Sequence, residues 1–277
     1  GRENPSREGK FCRKGETRMG KVIAIVNQKG GVAKTTTAVN LSAALGERGK
    51  KVLLIDMDPQ GNATSGLGVD RREIAHCVYD VLISGAPPAA VIRKSGFRNL
   101  DLMPATIQLA GAEVELVNAI SRENKLRRAV RPLTPFYDYI FIDCPPSLEL
   151  LTLNALCAAD SLLVPLQGEY YALEGLSDLM GTVRIVRRGL NPKLEIEGVL
   201  LTMFDGRTNL AIQVAQEIKR FFPGKVYSTV IPRNIRLSEA PSHGKPIHAY
   251  DRTCRGAEAY SALADEFLRK NGINKEE

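Results

Sequence analysis

The run Lys29-Gly30-Gly31-Val32-Ala33-Lys34-Thr35-Thr36 joins an apolar segment, Lys21 to Val26, to a helix-like stretch that opens at Thr37. A glycine pair in such a turn lets backbone N–H groups close on phosphate oxygens, a lysine can reach the β and γ oxygens, and a Ser or Thr hydroxyl can hold Mg²⁺. Lys34 and Thr35 stand where the last two roles fall. Lys29 lies earlier on the loop, where it can contact phosphate in its own chain or reach across to a partner's nucleotide. A nucleotide-dependent dimer is therefore expected. The strict pattern G-x-x-x-x-G-K-[ST] is not met, because Gln28 takes its first position and Ala33 replaces the glycine before the lysine. A Lys-Gly-Gly turn alone is more often an ordinary surface turn. The succession of strand, glycine turn and helix carries the reading instead.

Two more apolar runs end in carboxylates. Lys51 to Asp56 leads into Met57-Asp58 and a turn-rich Pro59 to Gly66, and Tyr139 to Asp143 leads into Cys144-Pro145-Pro146-Ser147. Near-continuous apolar runs suit parallel strands buried on both faces, and ligands of such sheets gather at the carboxyl ends. Asp58 and Asp143 would then sit beside the phosphates, one carboxylate serving Mg²⁺ and the other positioning the attacking water. A strand-terminal Asp taken singly is as often a helix N-cap. Two at matching strand ends, beside a phosphate loop, favour chemistry.

The elements that must position these groups follow from hydrophobic periodicity. Strands are expected over 21–27, 51–57, 99–104, 138–143, 161–166, 196–203 and 225–231, and helices over 34–48, 108–121, 123–131, 147–158, 172–188, 208–222 and 256–270. This alternation predicts an α/β fold, a single doubly wound, mostly parallel sheet with helices on both faces. Residues 19–271 would form that domain and 272–277 a short polar tail. Gly1 to Arg18 carries six basic and three acidic residues without apolar period, so it is expected to be disordered, and it lacks the apolar core of a signal peptide. Arg13-Lys14-Gly15-Glu16 can be encoded by AGG-AAA-GGA-GAG, a purine tract like a ribosome-binding site, which would make Met19 the native start. The alternative is a genuine basic arm.

Gln28 to Thr37, Asp56-Met57-Asp58-Pro59-Gln60-Gly61-Asn62, Asp143-Cys144-Pro145-Pro146, Glu169 to Gly175 and Ile231-Pro232-Arg233-Asn234-Ile235-Arg236-Leu237-Ser238-Glu239-Ala240-Pro241-Ser242 together resemble the ParA/Soj chromosome-partitioning ATPases. The resemblance runs from about Met19 to near Leu268. It implies a deviant Walker A loop with signature Lys29, an ATP sandwich dimer, Asp58 aiming the hydrolytic water and Asp143 as the Walker B carboxylate. The implied ATP-binding set is Lys29, Gly30, Gly31, Val32, Ala33, Lys34, Thr35, Thr36, Pro232 and Arg233. Lys29, Lys34 and Asp58 are the implied catalytic set, with Mg²⁺ on Thr35, Asp58 and Asp143. Arginines matching Arg207 and Arg236 contact DNA in the Soj-like proteins, and a ParB-like centromere-binding partner stimulates hydrolysis. Ala33 departs from the family pattern, which usually has glycine there. A helical φ at Ala33 is the expectation, and it would make the methyl group harmless.

The chain has 277 residues, 44% hydrophobic and 25% charged, ordinary for a globular domain. No run of about eighteen apolar residues predicts a membrane span. Cys12, Cys77, Cys144, Cys157 and Cys254 are odd in number and lack metal-ligand spacing; they read as reduced thiols of a cytoplasmic protein, all but Cys12 as small buried hydrophobes. The formal charge is +7, but Arg184 to Gly256 alone holds thirteen Lys/Arg against six Asp/Glu. Such a cluster is an electrostatic footprint for phosphate backbones, or else a solvated basic face. Without a helix-turn-helix or zinc pattern, DNA binding should be sequence-independent and the protein nucleoid-associated.

A MinD-like ATPase would end in a basic amphipathic membrane helix, whereas Phe267 to Glu277 is mixed in charge and poor in apolar residues. A nitrogenase-type iron-sulfur reductase would need bridging thiolates, and Cys144 and Cys157 show no cluster pattern. No Asn/Thr-Lys-x-Asp follows the second Asp strand, which favours ATP over GTP. A nucleotide-switched binding module with little turnover is the non-enzyme alternative.

Overall fold

Alternation of side chains along each strand divides the interior between two faces. Val22, Ala24 and Val26 join one apolar cluster, and Ile23 and Ile25 the other. Leu53 and Ile55 are likewise set against Val52 and Leu54, and Ile140 and Ile142 against Tyr139 and Phe141. This is the period-two signature of strands covered on both sides. The computed structural model describes residues 19–169 and 172–272. The readings made above for Gly1–Arg18, including Cys12, and for the tail beyond Gly272 lie outside the described residues.

The strands are β1 (Lys21–Ile25), β2 (Val52–Asp56), β3 (Arg93–Lys94), β4 (Leu100–Met103), β5 (Tyr139–Asp143), β6 (Ser161–Gln167), β7 (Glu195–Phe204) and β8 (Ile231–Pro232). They form one sheet in the order β3-β4-β2-β5-β1-β6-β7-β8, parallel except for β3 at one border. The helices are α1 (Lys34–Glu47), α2 (Asn62–Gly66), α3 (Pro88–Val91), α4 (Leu109–Glu115), α5 (Lys125–Val130), α6 (Leu150–Ala158), α7 (Ala172–Gly189), α8 (Asn209–Phe221), α9 (Ile235–Glu239), α10 (Ile247–Tyr250) and α11 (Arg255–Lys270). Helices α4 to α8 cover the Val22 face, while α1, α2, α10 and α11 cover the Ile23 face. The doubly wound, mostly parallel sheet expected from the sequence is present.

Register sets the level of the site. Ile25 and Asp56 both pair with Asp143, so three central strands finish together. The winding reverses between β5, β1 and β6, which opens a crevice at their carboxyl ends.

Several expected elements are shorter. The strand expected over 225–231 reduces to Ile231–Pro232 and one bridge at Val226, because Tyr227 turns inward against β7. Gly198 makes that possible, since a Cβ there would lie 2.4 Å from the Tyr227 ring. The helix expected over 108–121 stops at Glu115 and tightens into a 3₁₀ turn, and that expected over 147–158 starts at Leu150, after the Pro145-Pro146 turn.

Candidate nucleotide site

β1 delivers the chain into the loop from Asn27 to Ala33. Buried Asn27 anchors its start, donating to the Pro165 carbonyl at 2.8 Å and accepting from Lys29 N–H at 3.0 Å. Two later carbonyls are held from neighbouring strand ends. Gln167 on β6 donates to Gly31 O, and Thr202 on β7 to Val32 O, each at 3.1 Å. The first N–H groups of α1 have no intrahelical acceptor and carry the positive end of its dipole, which makes them anion donors.

Ala33 caps α1 with φ 65° and ψ 33°, and Gly31 has φ 73°. The helical φ expected at Ala33 is therefore wrong. The loop needs two left-handed turns to enter α1, and the second falls on a residue whose Cβ crowds the following carbonyl, at a cost of about 1–2 kcal/mol.

Lys34 is buried, and its Nζ donates to Lys29 O at 3.0 Å. Burial lowers its pKa from the usual lysine value, opposed by the carboxylates of Asp143 and Asp58. Asp143 is fully buried, and no donor meets either of its oxygens in hydrogen-bond geometry. Desolvation and then the neighbouring Asp56 push its pKa well up, while Thr35 and Lys34 favour the charged form. A buried carboxylate with two orphaned oxygens beside a hydroxyl and an ammonium fits a cation site. Asp58 is also buried, and its side chain accepts from Gln60 N–H at 2.9 Å.

Lys34, Thr35 and Asp58 border an open cavity of about 600 Å³. Of the residues singled out in the sequence, Gly30, Gly31, Ala33, Lys34, Thr35, Thr36, Asp58, Pro232 and Arg233 line it. Asp143 does not line it, and Val32 is buried, its carbonyl spent on Thr202. Lys29 lies outside too; its ammonium meets Glu169 at 2.5 Å, both side chains partly exposed. Arg207 and Arg236 do not line the cavity. Arg207 forks onto Asp205 at 2.8 and 2.7 Å, and Arg236 meets Glu239 at 2.9 Å and Asp251 at 3.6 Å.

Residues 20–196 match the AAA domain family. The sporulation initiation inhibitor protein Soj of Bacillus subtilis (strain 168) is 63% identical over 248 residues, covering 90% of this chain and 98% of that protein. The chromosome partitioning protein ParA of Myxococcus xanthus is 54% identical over 258 residues, covering 93% and 91%. The chain belongs to the ParA/Soj chromosome-partitioning ATPases. Among solved structures, cobyrinic acid a,c-diamide synthase from Mycobacterium smegmatis with bound ADP and magnesium superposes with a TM-score of 0.80 at 38% identity, covering 92% of this chain and 96% of that one.

In this ParA/Soj chain several site residues escaped the sequence reading. Asp56, fully buried, accepts from Thr64 N–H at 2.8 Å, Thr64 Oγ1 at 2.7 Å and Asp58 N–H at 3.1 Å. Thr64 Oγ1 in turn accepts from Ala105 N–H at 3.0 Å, so Asp56 fixes the loop that presents Asp58. Burial raises its pKa to about 6 against those hydrogen bonds. The doubled carboxylate of Asp56-Met57-Asp58 was the signal available. Met203 lines the cavity with φ 47° where the β7–β8 register shifts, and Gln167 also donates to its sulfur at 3.2 Å. No local pattern announces that turn. Cys77, Cys144 and Cys157 are buried thiols, whereas Cys254 is half exposed and caps α11 through its sulfur.

Proposed function

We propose that this ParA/Soj ATPase binds ATP with Mg²⁺ at the loop before α1, dimerises on ATP, binds duplex DNA without sequence preference as the dimer, and leaves it after hydrolysis. The observation that carries this reading is the orphaned carboxylate of Asp143 behind Lys34 and Thr35, at the mouth of a loop built to receive phosphate. Lys34 neutralises the β and γ oxygens, and the N–H groups of residues 30 to 36 cradle them. Thr35, Asp58 and Asp143 would hold Mg²⁺. Held there, Mg²⁺ would supply positive charge to offset that of the phosphates. Asp58 aims the water, and Pro232 and Arg233, which also line the cavity, would meet the base.

Lys29 reaches a partner's nucleotide by exchanging Glu169 for phosphate. A half-exposed pair of this kind is worth roughly 0–1 kcal/mol, so the exchange is inexpensive. Arg207 and Arg236 likewise trade exposed carboxylates for DNA phosphates. A ParB-like protein stimulates turnover, and the protein works in the cytoplasm on the nucleoid. No helix among the described residues is long and apolar enough to cross a membrane. DNA binding measured with ATP, ADP and no nucleotide, at two salt concentrations, tests the reading. ATP should raise the affinity for unrelated duplexes alike, Arg207→Ala and Arg236→Ala should abolish that increment while keeping the ATP dimer, and equal affinity in all three nucleotide states would sink it.

A further inference from the structure

The direction of the Asp58 carboxylate depends on the turn that follows it. Gln60 N–H donates to that carboxylate at 2.9 Å, and Gly61 N–H closes the turn onto Asp58 O at 2.8 Å. Upstream, Asp56 holds the Asp58 N–H at 3.1 Å, and downstream Gly61 O accepts from Ser65 N–H at 3.0 Å in α2. Between these anchors stand Pro59, which has no N–H to give, and Gln60, which is exposed and lines the cavity. The stretch that aims Asp58 is therefore the one least held by its own backbone.

Arg71 supplies a hold from outside the turn. It opens a 3₁₀ turn, Arg71–Glu73, that Asp70 caps by accepting from Arg72 N–H. The Asp70 carboxylate pairs with the Arg72 guanidinium at 2.7 Å, and among the described residues no ion pair to a carboxylate engages Arg71. The Arg71 guanidinium donates instead to the carbonyl of Gln60, eleven residues earlier. Its aliphatic stem lies over Gly61, where φ is 61° and a Cβ would stand 2.7 Å from Arg71 Cδ and 3.1 Å from Ala105 O. The missing side chain of Gly61 is thus what seats the arginine. An arginine merely extended into water would show neither contact. A charged donor on a carbonyl also makes a stronger bond than a neutral one.

We propose that Arg71 is a positioning residue for ATP hydrolysis, which holds the Asp58–Gly61 turn from the solvent side and so keeps the Asp58 carboxylate directed at the attacking water. The inference rests on the reading of Asp58 given above. Arg71 does not line the cavity, so its loss should appear in turnover and not in ATP binding. Misplacing a reacting group by about 1 Å can cost about 100-fold in rate. Here Asp56 and Gly61 still hold the two ends of the turn, and the expected loss is about tenfold, equivalent to about 1.4 kcal/mol.

The test measures single-turnover phosphate release at saturating ATP, ATP affinity and melting temperature on the full chain for Arg71→Met, Arg71→Lys and Asp58→Ala. Arg71→Met keeps a stem over Gly61 and removes every donor. It should slow phosphate release about tenfold, hold ATP affinity within about twofold, and move the melting temperature by no more than about 2 °C. Arg71→Lys, whose ammonium can still reach the Gln60 carbonyl, should recover much of the rate. An unchanged rate in Arg71→Met overturns the proposal, and so does a loss that Arg71→Lys shares in full. A loss of rate matched by falls in ATP affinity and melting temperature would make Arg71 a support of the fold and overturn it as well. Asp58→Ala separates this inference from the reading beneath it. Turnover that survives Asp58→Ala removes the role of Asp58 and the proposal with it, whereas turnover lost in Asp58→Ala and intact in Arg71→Met overturns the proposal alone.

Discussion

Ala33→Gly is the substitution whose effect the backbone states most directly. The present residue sits at φ 65°, where its Cβ costs about 1–2 kcal/mol. Glycine relieves that strain but gives the unfolded chain more freedom, taking back about 0.4–1 kcal/mol. The net gain is about 1 kcal/mol, or roughly 2–4 °C in melting temperature for a domain of this size. Thermal and urea unfolding of the nucleotide-free protein measure it, with Ala33→Val as the opposing control, since a β-branched residue tolerates the left-handed region worse. Because the loop is already held through the Gly31 and Val32 carbonyls, nucleotide affinity should stay within about threefold, roughly 0.7 kcal/mol. Phosphate release should be equal or faster. A melting temperature that falls on Ala33→Gly would refute the strain argument, and a large loss of turnover would show that the methyl group takes part in the site.

Lys34→Ala should abolish nucleotide binding, because it removes a buried charge from the phosphates, whereas Lys29→Ala should spare monomer binding and lose the ATP dimer; sedimentation with ATP separates the two. Asp58→Ala should accumulate an ATP-bound dimer, seen as a stable sedimenting species with phosphate release reduced to background. His248 is buried with neither ring nitrogen in hydrogen-bond geometry, and burial depresses its pKa. The unfolded chain therefore takes up the proton first, so stability is fully present above the ordinary histidine value of about 6.5 and falls as pH drops through it, by at most about 1.4 kcal/mol per unit. Asp56, raised to about 6, and Asp143 bind protons in the folded state over the same range and oppose that slope, so the effect is read as the difference in melting temperature between the unmodified protein and His248→Leu from about pH 7.5 to 5.5; an equal pH dependence in the two would move the effect elsewhere.

What was legible in the sequence was whatever depends on neighbours along the chain. The apolar strand before Lys29, the lysine and threonine opening α1, and the carboxylates closing β2 and β5 are all local patterns, and the structure brings Lys34, Thr35 and Asp58 to one cavity. The φ of Ala33 was not legible, because it is imposed by distant anchors: Gln167 and Thr202 lie 136 and 170 residues from the carbonyls they hold. The part played by Asp56 was not legible either, because it depends on Thr64 and, through Thr64, on Ala105. The layout of the basic segment was not legible for the opposite reason. Its residues are adjacent in sequence, but each βα unit crosses the whole sheet, so charges close in the chain are delivered to opposite ends of the molecule.

Both borders of the sheet carry only two residues. β3 is Arg93-Lys94, both exposed, and β8 ends in Pro232, which has no N–H to give. A neighbouring chain approaching in the plane of the sheet meets charge on one side and a missing donor on the other, so neither border can template a growing ladder. Self-association must then run through side chains, whose contacts can be made and undone without rebuilding backbone pairing. Molecules crowded together at high local concentration would thus be protected from cross-β aggregation by two very short strands.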